Sequence, residues 1–382
     1  MVSILQKDSY GPEYLVEIHD PSLGMEGFLV IDNTALGPGK GGIRMTEDVS
    51  AEEVARLARA MTWKNALAGI PFGGAKAGIQ WNASEQNDAH SASARKKEYV
   101  QSFARRIAPF IPKLYIAGPD VNSGAEEMRW FAEAIGKWNA ATGKPSDFCF
   151  VASSGKKKCG LPHELGSTGF GVAHAARVAL ELKGLPIKKA TAAIEGYGNV
   201  GSFAHQFLQE MGIRVVAAVD RKGGIYHDPG LDAKSLRFLK AQGKSVAEYP
   251  HGKKLSRDDL FNLAVDVLIP ASVTDVITDA HKNKIQAKII VEGANIPMKE
   301  HIEEHLWKRK VLVVPDIIAN AGGVISSYAE YRGYSPKKMF ALVEERIEKV
   351  VREVLTKSLQ EGVSARTAAL GIARLRIERA RA

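Results

Sequence analysis

The sequence predicts an α/β protein with two domains, an N-terminal α/β domain and a second domain built around a parallel sheet. The chain has 382 residues, more than the roughly 100–200 of one typical domain. Its 45% hydrophobic and 25% charged residues are ordinary globular usage, which excludes wholesale disorder. From residue 168 onward, apolar runs alternate with helical patterns, as in a parallel sheet covered on both faces. We expect the second domain over 161–330 and the first over 1–160, completed by C-terminal helices over 331–382.

The first domain begins with strands and continues with helices. The predicted elements are strands at 14–18 and 27–31, then helices from Ser50 to before Pro71, over 94–108 and over 124–138. The strands are short β-branched or aromatic runs bounded by Asp, Pro and Gly. Two of the helices open on a Ser-x-x-Glu capping pair, Ser50 with Glu53 and Ser123 with Glu126. Residues 141–167 have the Gly, Pro and Ser content of a loop.

In the second domain, predicted helices alternate with predicted strands. The predicted order is helix 168–182, strand 191–195, helix 199–211, then strands 213–219, 265–269, 287–291 and 311–314. After Pro336, an amphipathic segment predicts one or two helices.

A glycine-rich turn, Gly196-Tyr197-Gly198-Asn199-Val200-Gly201, lies between the strand at 191–195 and the next helix. Strand, turn and helix in this order are typical of a Rossmann dinucleotide-binding unit. Gly196 allows the tight turn, Gly198 lets a pyrophosphate approach the backbone, and Gly201 lets the helix pack on the strand. The helix N-terminus offers unpaired N–H groups to the anion. The sequence therefore predicts a site for a nicotinamide dinucleotide.

Asp220 ends the next strand, about 20 residues after the glycines, where an acid binds the adenosine ribose hydroxyls. Arg221 and Lys222 follow it directly. They could hold the 2′-phosphate of NADP, or they could be solvated turn residues. The cofactor is therefore NAD or NADP, with the choice left open.

Three lysines and one aspartate of the first domain are candidates for an active site. Lys40, Lys64 and Lys76 lie among glycines or apolar residues, where surface lysines are rarely placed, and Asp120 follows Gly118-Pro119. A lysine in a desolvated pocket has a lowered pKa, which suits it to act as a general base. For any one lysine alone, an exposed loop position is the more common alternative.

The motifs that contain these residues resemble the glutamate/leucine/phenylalanine/valine dehydrogenase family in order and spacing. They are Ala35-Leu36-Gly37-Pro38-Gly39-Lys40-Gly41-Gly42-Ile43-Arg44, Met61 to Gly69, Pro71 to Lys76, Ser167 to Val172, Glu292-Gly293-Ala294-Asn295 and Pro315 to Val324. The resemblance covers residues 12–355. It departs from the family at 156–165, where an arginine is often seen, and at Gly118, where alanine is more common.

The resemblance implies roles for the polar residues of the first domain. Lys64 would bind the substrate α-carboxylate, Lys76 would activate the water that adds to the imine, and Asp120 would move the amino-group proton. Lys40 and Ser327 stand at the positions that bind the side-chain carboxylate in members that prefer glutamate. Members that act on apolar substrates have apolar residues there.

The resemblance also implies the cofactor site and the activity. Thr168 and Asn320 would face the nicotinamide. The full predicted cofactor site is Thr168, Gly196, Gly198, Asn199, Val200, Gly201, Asp220, Arg221, Asn295 and Asn320. The expected reaction is the reversible NAD(P)-dependent oxidative deamination of L-glutamate to 2-oxoglutarate and ammonia, in a homohexamer with its active site between the domains. The alternatives are a leucine, valine or phenylalanine type of dehydrogenase and a catalytically silent nucleotide-binding regulator.

We predict no metal site. His301 and His305 match an H-x-x-E-H pattern, but on a short polar helix without the context of a metalloprotease. Cys149, Cys159 and His163 have irregular spacing and lack a fourth zinc ligand. Two cysteines also predict no disulfide framework.

Neither a nucleic-acid nor a membrane partner is predicted. The net charge of +9 is compatible with anionic small molecules, phosphates or nucleic acid, and cannot choose among them. The run 156–158 of three lysines is interpreted as a solvated loop, because aromatic interleaving and a nucleic-acid-binding fold are missing. The N-terminus lacks a signal-peptide pattern, and no apolar run approaches the roughly 18 residues of a membrane span. We expect a soluble cytoplasmic protein.

Overall fold

A computed structural model describes residues 7–82, 89–151, 155 and 157–382. It divides into two units. The first comprises Met1–Leu165, Val324–Met339 and Ala373–Ala382, and the second comprises Gly166–Gly323 and Phe340–Ile372. This division differs from the expected one, because residues 340–372 belong to the second unit instead of completing the first. The reason is packing within the second unit, where Ile347 lies against Gly171.

In its described residues, the first unit contains a six-stranded mixed sheet, helices and a separate two-stranded hairpin. Its elements are β1 (Tyr14–Asp20), β2 (Met25–Asn33), β3 (Gly39–Lys40), β4 (Ile43–Thr46), α1 (Ala51–Ala68), β5 (Gly73–Gln80), α2 (Ala89–Arg106), β6 (Tyr115–Ile116), α3 (Ala125–Ile135), β7 (Cys149–Val151) and β8 (Lys157–Cys159). Within the described residues the sheet order is β1-β2-β5-β3-β6, and β4 also pairs with β5. β2 is antiparallel to both of its neighbours, β1 and β5, whereas β3 and β4 run parallel to β5. The predicted strands at 14–18 and 27–31 and the three predicted helices are confirmed.

Strands β3 to β6 were not predicted. β3 and β5 contain glycines, which disfavour strands by propensity, and β4 and β6 are only four and two residues long. In the structure these glycines permit backbone approaches that no side chain would allow. A Cβ at Gly41 would lie 1.6 Å from the Ala75 carbonyl oxygen, and a Cβ at Gly74 would lie 2.0 Å from the Thr62 hydroxyl oxygen on α1. Close packing of β3, β5 and α1 therefore requires glycine at these positions.

The two predicted helix caps of the first unit differ in outcome. The Ser50 hydroxyl accepts from the Glu53 N–H at 3.3 Å, as predicted. The predicted pair Ser123 and Glu126 is wrong by one residue, because α3 begins after Gly124 and the Glu127 carboxylate accepts from the Gly124 N–H at 2.7 Å. The Ser123 side chain is thereby available to the loop that carries Asp120.

The second unit contains a twisted sheet with helices on both sides. Its elements, with the helices that continue into the first unit, are α4 (Ser167–Leu182), β9 (Thr191–Glu195), α5 (Asn199–Glu210), β10 (Arg214–Asp220), β11 (Gly223–Tyr226), α6 (Ala233–Ala241), β12 (Lys253–Leu255), α7 (Arg257–Phe261), β13 (Val267–Pro270), β14 (Ile289–Val291), α8 (Glu300–Lys308), β15 (Leu312–Val314), α9 (Asp316–Ala319), α10 (Gly322–Tyr331), α11 (Pro336–Glu361) and α12 (Ala365–Arg381). Within the described residues the sheet order is β12-β11-β10-β9-β13-β14-β15. Each strand is parallel to its neighbour along the run β10-β9-β13-β14-β15. At the other edge, β11 is antiparallel to both β10 and β12.

The α/β fold class and the parallel sheet are therefore confirmed. Strand residues such as Ile194, Leu268 and Ile290 are fully buried, as expected for a sheet covered on both faces. The C-terminal segment forms two helices, α11 and α12. Within the described part of the chain, no helix combines the length and the apolar character needed to cross a membrane.

The two cysteines form a disulfide, which the sequence analysis did not predict. Residues 141–167 contain a hairpin of β7 and β8, in which Cys149 and Cys159 are register partners with Cα atoms 4.1 Å apart. Antiparallel pairing at a separation of ten residues brings the two sulfurs together. Lys156, which belongs to the lysine run predicted as a solvated loop, lies outside the described residues. Residues 1–6 of the N-terminus, which lacks a signal-peptide pattern, lie outside them as well.

Candidate active site

Lys76 and Asp120 form a buried ion pair in the first unit. Lys76 lies on β5, and its Nζ is 2.8 Å from the Asp120 carboxylate. Burial lowers the pKa of Lys76, although the Asp120 carboxylate opposes this. Burial works to raise the pKa of Asp120, but the charges of Lys76 and Arg44 outweigh it and the net pKa is lowered. The pair can thus exchange a proton within one short contact, as acid–base catalysis requires.

Three neighbours fix the position of Asp120. The Arg44 Nε donates to the carboxylate at 3.1 Å, and the Asp120 N–H donates to the Ser123 hydroxyl at 2.9 Å. A Cβ at Gly42 would lie 2.8 Å from the Asp120 Cβ. Arg44 was not predicted as a site residue. Its place in the Gly-rich motif two residues after Gly42 is the only sequence signal that could have indicated it.

Lys40 is buried beside this pair. It is 3% exposed on β3, and its Nζ donates to the Ala117 carbonyl at 3.0 Å. A Cβ at Gly118 would lie 2.3 Å from this Nζ, so the glycine that departs from the family pattern provides the space for the ammonium group. Burial lowers the pKa of Lys40 to about 7, with Glu330 opposing the change and Lys76 adding to it.

A second buried ion pair, Lys144 with Glu330, was missed by sequence reasoning. The Lys144 Nζ is 2.6 Å from the Glu330 carboxylate, and both side chains are almost fully buried. Glu330 also accepts from the N–H groups of Gly143 and Leu161, at 2.7 and 2.9 Å. An acid inside the apolar helix α10 is the one available sequence signal. The pair fixes a negative charge close enough to influence Lys40.

The two remaining predicted substrate residues lie in the same unit. Lys64 is half-buried on α1, and its helix neighbour Thr62 abuts Gly74 on β5. Ser327 is 6% exposed on α10, one turn before Glu330. α10 is held in this unit by Tyr328 and Tyr331, whose rings pack edge-on against Phe72. The structure therefore brings Lys76 and Asp120 into contact and collects Lys40, Lys64 and Ser327 in the same unit.

In the second unit, the glycine-rich turn has the geometry that the sequence predicts. Gly196 has φ +91°, and a Cβ there would lie 2.6 Å from Ser272. A Cβ at Gly201 would lie 1.9 Å from the Gly196 carbonyl oxygen, so α5 packs directly on the turn. Gly198 precedes α5, and nothing lies within 4 Å of the position its Cβ would take. The residues present fit a dinucleotide, because an anion can approach the backbone at Gly198 and the N-terminus of α5. Asn199 and Val200 form the first turn of that helix.

Asp220 lies at the end of β10, as predicted, with a carboxylate that already has protein partners. It accepts from the Lys240 Nζ and the Ser245 hydroxyl, both at 2.8 Å, and from the N–H groups of Lys222 and Val246. Burial works to raise its pKa, but these donors outweigh it and the net pKa is lowered. The exposed Arg221 follows. Lys240 is a cation that the sequence analysis missed, because it comes from α6, twenty residues later.

The predicted nicotinamide-side residues lie close together at the ends of β14 and β15. The Asn320 amide donates to the Asn295 side-chain oxygen at 2.9 Å and to the Gly293 carbonyl at 3.2 Å. Thr168, on the first turn of α4, lies against Gly322, where a Cβ would be 3.2 Å from the Thr168 Cα. Gly293 in turn lies beside Val200 of the glycine-rich turn.

A buried arginine holds the two loops that carry Asn295 and Asn320. Arg366 donates to Glu303 at 2.5–2.9 Å and to Glu292 and Asp316, each at 2.9 Å. Glu292 directly follows β14 and Asp316 directly follows β15, so one guanidinium spans both loops. Burial raises the pKa of Glu292 well above its usual value, and the nearby carboxylates of Glu303 and Asp316 add to the rise.

Comparison with known families agrees with this geometry. Residues 160–382 match the model described as Glutamate/Leucine/Phenylalanine/Valine dehydrogenase, and residues 12–137 match that of the Glu/Leu/Phe/Val dehydrogenase dimerisation domain. The chain belongs to the Glu/Leu/Phe/Val dehydrogenase family. The resemblance of its motifs to this family is thereby confirmed.

Similar members of the Glu/Leu/Phe/Val dehydrogenase family include two archaeal proteins. A glutamate dehydrogenase of Aeropyrum pernix is 40% identical over 305 residues, which are 78% of this chain and 70% of that protein. An NADP-specific glutamate dehydrogenase of Saccharolobus shibatae is 35% identical over 355 residues, 91% of this chain and 81% of that protein. A solved hetero-hexameric glutamate dehydrogenase of Thermus thermophilus, in a Leu-bound form, matches with a TM-score of 0.81 and 27% identity, covering 97% of this chain and 89% of that one.

Proposed function

We propose that this chain is a glutamate dehydrogenase that catalyses the reversible NAD(P)-dependent oxidative deamination of L-glutamate to 2-oxoglutarate and ammonia. The observation that carries the proposal is the buried Lys76–Asp120 pair at 2.8 Å, with the further buried cation of Lys40 beside it. A second unit with a glycine turn shaped for a dinucleotide supplies the other half of the reaction. The relatives that are 35–40% identical bear the name glutamate dehydrogenase.

The chemistry divides among the residues of the first unit. A nicotinamide bound at the second unit would supply the acceptor for the hydride of the substrate Cα, and loss of that hydride would leave the substrate as an iminium. Lys76, whose pKa is lowered by burial, takes a proton from the water that attacks this iminium carbon. Asp120 passes a proton to the amino group, and ammonia leaves as the carbonyl of 2-oxoglutarate forms. The same groups act in reverse order in reductive amination.

Glutamate itself would be recognised by three side chains. We assign Lys64 to the α-carboxylate, and Lys40 with Ser327 to the side-chain carboxylate. The burial of Lys40 supports this assignment. An anionic ligand group stabilises a buried ammonium, whereas an apolar group leaves the free-energy cost of its burial uncompensated. An apolar amino acid would therefore bind poorly, which argues against a leucine, valine or phenylalanine type of enzyme.

A silent nucleotide-binding regulator is the remaining alternative. Such a protein needs the dinucleotide turn but has no use for a buried Lys76–Asp120 pair. Burying both charges costs desolvation free energy. A catalytic role for the pair gives a reason for this cost, and a purely regulatory role does not. The catalytic proposal is therefore preferred.

We also propose a homohexamer, by analogy with the hexameric relative of Thermus thermophilus. Size-exclusion chromatography with light scattering would test this, since a mass of six chains is expected and a monomer would contradict it.

The test of the activity is a spectrophotometric screen of amino acids with NAD and with NADP. Glutamate is expected to be the best substrate, and Asp120→Asn is expected to lose turnover while keeping its fold. Turnover that is highest with leucine, valine or phenylalanine would favour the alternative type. Absence of turnover with every amino acid, with dinucleotide binding intact, would favour the regulator.

A further inference from the structure

A pocket of about 520 Å³ lies in the first unit, outside every residue assigned above to substrate or cofactor. It is bounded by the turn after α3, the β7–β8 hairpin and the end of α10. The side chains that define its chemistry are Lys137, Trp138, Phe150, Lys158, Tyr331 and Arg332. Small-molecule sites have volumes of about 300–1,000 Å³, so this pocket has the size of one.

The charge of the pocket is positive. Lys137, Lys158 and Arg332 line it, and no carboxylate does. Among the described residues, none of the three has an acidic partner within the 4.0 Å that defines an ion pair. Arg332 donates to the Tyr328 hydroxyl at 3.1 Å, and Lys137 donates to the Ile111 carbonyl at 3.4 Å. Three like charges around one cavity repel one another, and an anion between them relieves that repulsion.

The pocket also presents aromatic surface. The Phe150 ring is 49% exposed, an unusual position for a large apolar side chain. Tyr331, at the end of α10, also lines the pocket. A planar ring can bind such side chains through its face or edge. The ligand chemistry indicated is therefore both anionic and planar.

The arrangement is held together by two local features. Phe150 and Lys158 are next to the cysteines whose disulfide closes the hairpin. Gly333 has φ +67°, and a Cβ there would lie 2.6 Å from the Lys158 Cγ. The aliphatic stem of Lys158 therefore rests on this glycine, immediately beside Arg332, which brings the hairpin cation and the helix-end cation to the same cavity.

We propose that this pocket binds a planar ring that carries a phosphate dianion, the chemistry shared by aryl phosphates and nucleoside monophosphates. Two lysines and one arginine match a dianion better than a monoanion, which would leave two cations without a partner. Arg332 can offer a phosphate two parallel N–H donors, and the lysines can act as mobile point charges. Phe150 and Tyr331 supply the surface for the ring.

The site has a route to the substrate residues within the first unit. Tyr331 directly follows Glu330 in α10, and the Lys144 Nζ lies 4.0 Å from the centre of the Trp138 ring. A ligand here would contact Trp138, which packs against Lys144, and Tyr331, which adjoins Glu330, so it would act on the neighbours of the ion pair that influences Lys40. The expected kinetic consequence is a changed KM for glutamate. This consequence depends on the proposed function, whereas binding at the pocket does not.

Isothermal titration of the full chain with phenyl phosphate tests the proposal, with NADPH present at saturation so that the dinucleotide site is filled. Adenosine monophosphate and inorganic phosphate are titrated in parallel. We expect phenyl phosphate to bind at least about tenfold tighter than inorganic phosphate, because base or ring stacking is worth about a factor of ten. Tight binding of adenosine monophosphate alone would identify the nucleoside source, and tight binding of both would show that an aryl ring suffices.

Two variants locate the binding. Arg332→Gln is expected to weaken phenyl phosphate by about tenfold or more, the usual effect of losing hydrogen bonds to a charged group. Phe150→Ala is expected to reduce the advantage over inorganic phosphate. The matched control is Arg105→Gln, an exposed arginine of the same unit outside the pocket, which is expected to change nothing. Equal affinity for phenyl phosphate, adenosine monophosphate and inorganic phosphate, or an affinity for the tighter ligand that is unchanged in Arg332→Gln, would overturn the proposal.

Discussion

Replacement of Arg366 by Met is expected to destabilise the second unit strongly. The guanidinium is the cation shared by Glu292, Glu303 and Asp316, whose side chains are 0–5% exposed. Removing one partner of a buried ion pair costs about 3–5 kcal/mol, because the remaining charge stays buried and unpaired. For a unit of this size, about 1 kcal/mol corresponds to roughly 2–4 °C in Tm, so a loss of roughly 6–20 °C is expected.

The loss should depend on pH in a defined direction. The pKa of Glu292 is raised above its unfolded value, so the folded state binds more protons and stability falls as pH rises through that range. Without Arg366 the other carboxylates would also gain protons on folding. The difference between variant and wild type should therefore shrink as the pH is lowered from 8 towards 5, since protonated carboxyls need no cation.

Differential scanning calorimetry between pH 5 and pH 8 would measure both effects. The control is Arg352→Met, which removes an arginine that is 50% exposed and pairs with Glu181 on the surface of the same unit. Exposed pairs contribute about 0–1 kcal/mol, so this variant should remain close to the wild type. If Arg366→Met lost no more than the control, the guanidinium would not be holding the loops of Asn295 and Asn320.

Four further predictions concern the proposed reaction. Lys76→Ala should lower turnover by about 10²–10⁴-fold while NADPH fluorescence still reports binding; near-normal turnover would contradict its role as base. Because the pKa of Lys40 is about 7, binding of glutarate above pH 7 should be accompanied by uptake of a proton. Titration calorimetry in buffers of different ionisation enthalpy would measure this uptake, and Lys40→Met should abolish it. Both NAD and NADP should be accepted, and replacing Arg221 and Lys222 by Ser should weaken NADP selectively, whereas equal loss for both would show that the side chains only shape the turn. Lys40→Leu with Ser327→Val should lower the ratio of kcat/KM for glutamate over leucine, and an unchanged ratio would refute the carboxylate-binding assignment.

The dinucleotide half could be predicted from the sequence because its signals are local. Gly196 has a positive φ, Gly201 allows close packing, and Gly198 leaves open space for an anion, and the spacing of these three glycines within six residues is visible in the sequence. The parallel strands are continuous apolar runs, which the period of the pattern identifies directly. No contact between distant segments is needed to find either feature.

The residues that were missed act through distant contacts. Glu330 is separated from Gly143 by 187 residues, and Arg366 is separated from Asp316 by 50. Nothing in the local sequence of a buried acid or arginine identifies its partner. The disulfide was missed for a related reason, since only the register of the hairpin shows that Cys149 and Cys159 face each other.

The charge balance around Lys40 connects these missed residues to substrate choice. Lys76 is paired with Asp120, and Lys144 is paired with Glu330. Within the described residues, Lys40 has no carboxylate at ion-pair distance and donates only to a carbonyl. Among the described residues its ammonium therefore has no direct counter-charge, and this imbalance adds to the cost of its burial. Burial is the main cause of its lowered pKa, Lys76 and Lys144 lower the pKa further, and Glu330 opposes the change.

A dicarboxylate substrate corrects the imbalance, and an apolar one does not. The side-chain carboxylate of glutamate would give Lys40 its missing partner and favour its charged form, so part of the binding energy comes from relieving a cost already present in the free protein. An alanine at position 118 would require this ammonium to move, because its Cβ would lie 2.3 Å from the Nζ. We propose that Gly118 allows the observed position of the Lys40 ammonium, and that this buried cation, which has no carboxylate at ion-pair distance among the described residues, favours substrates with an anionic side chain.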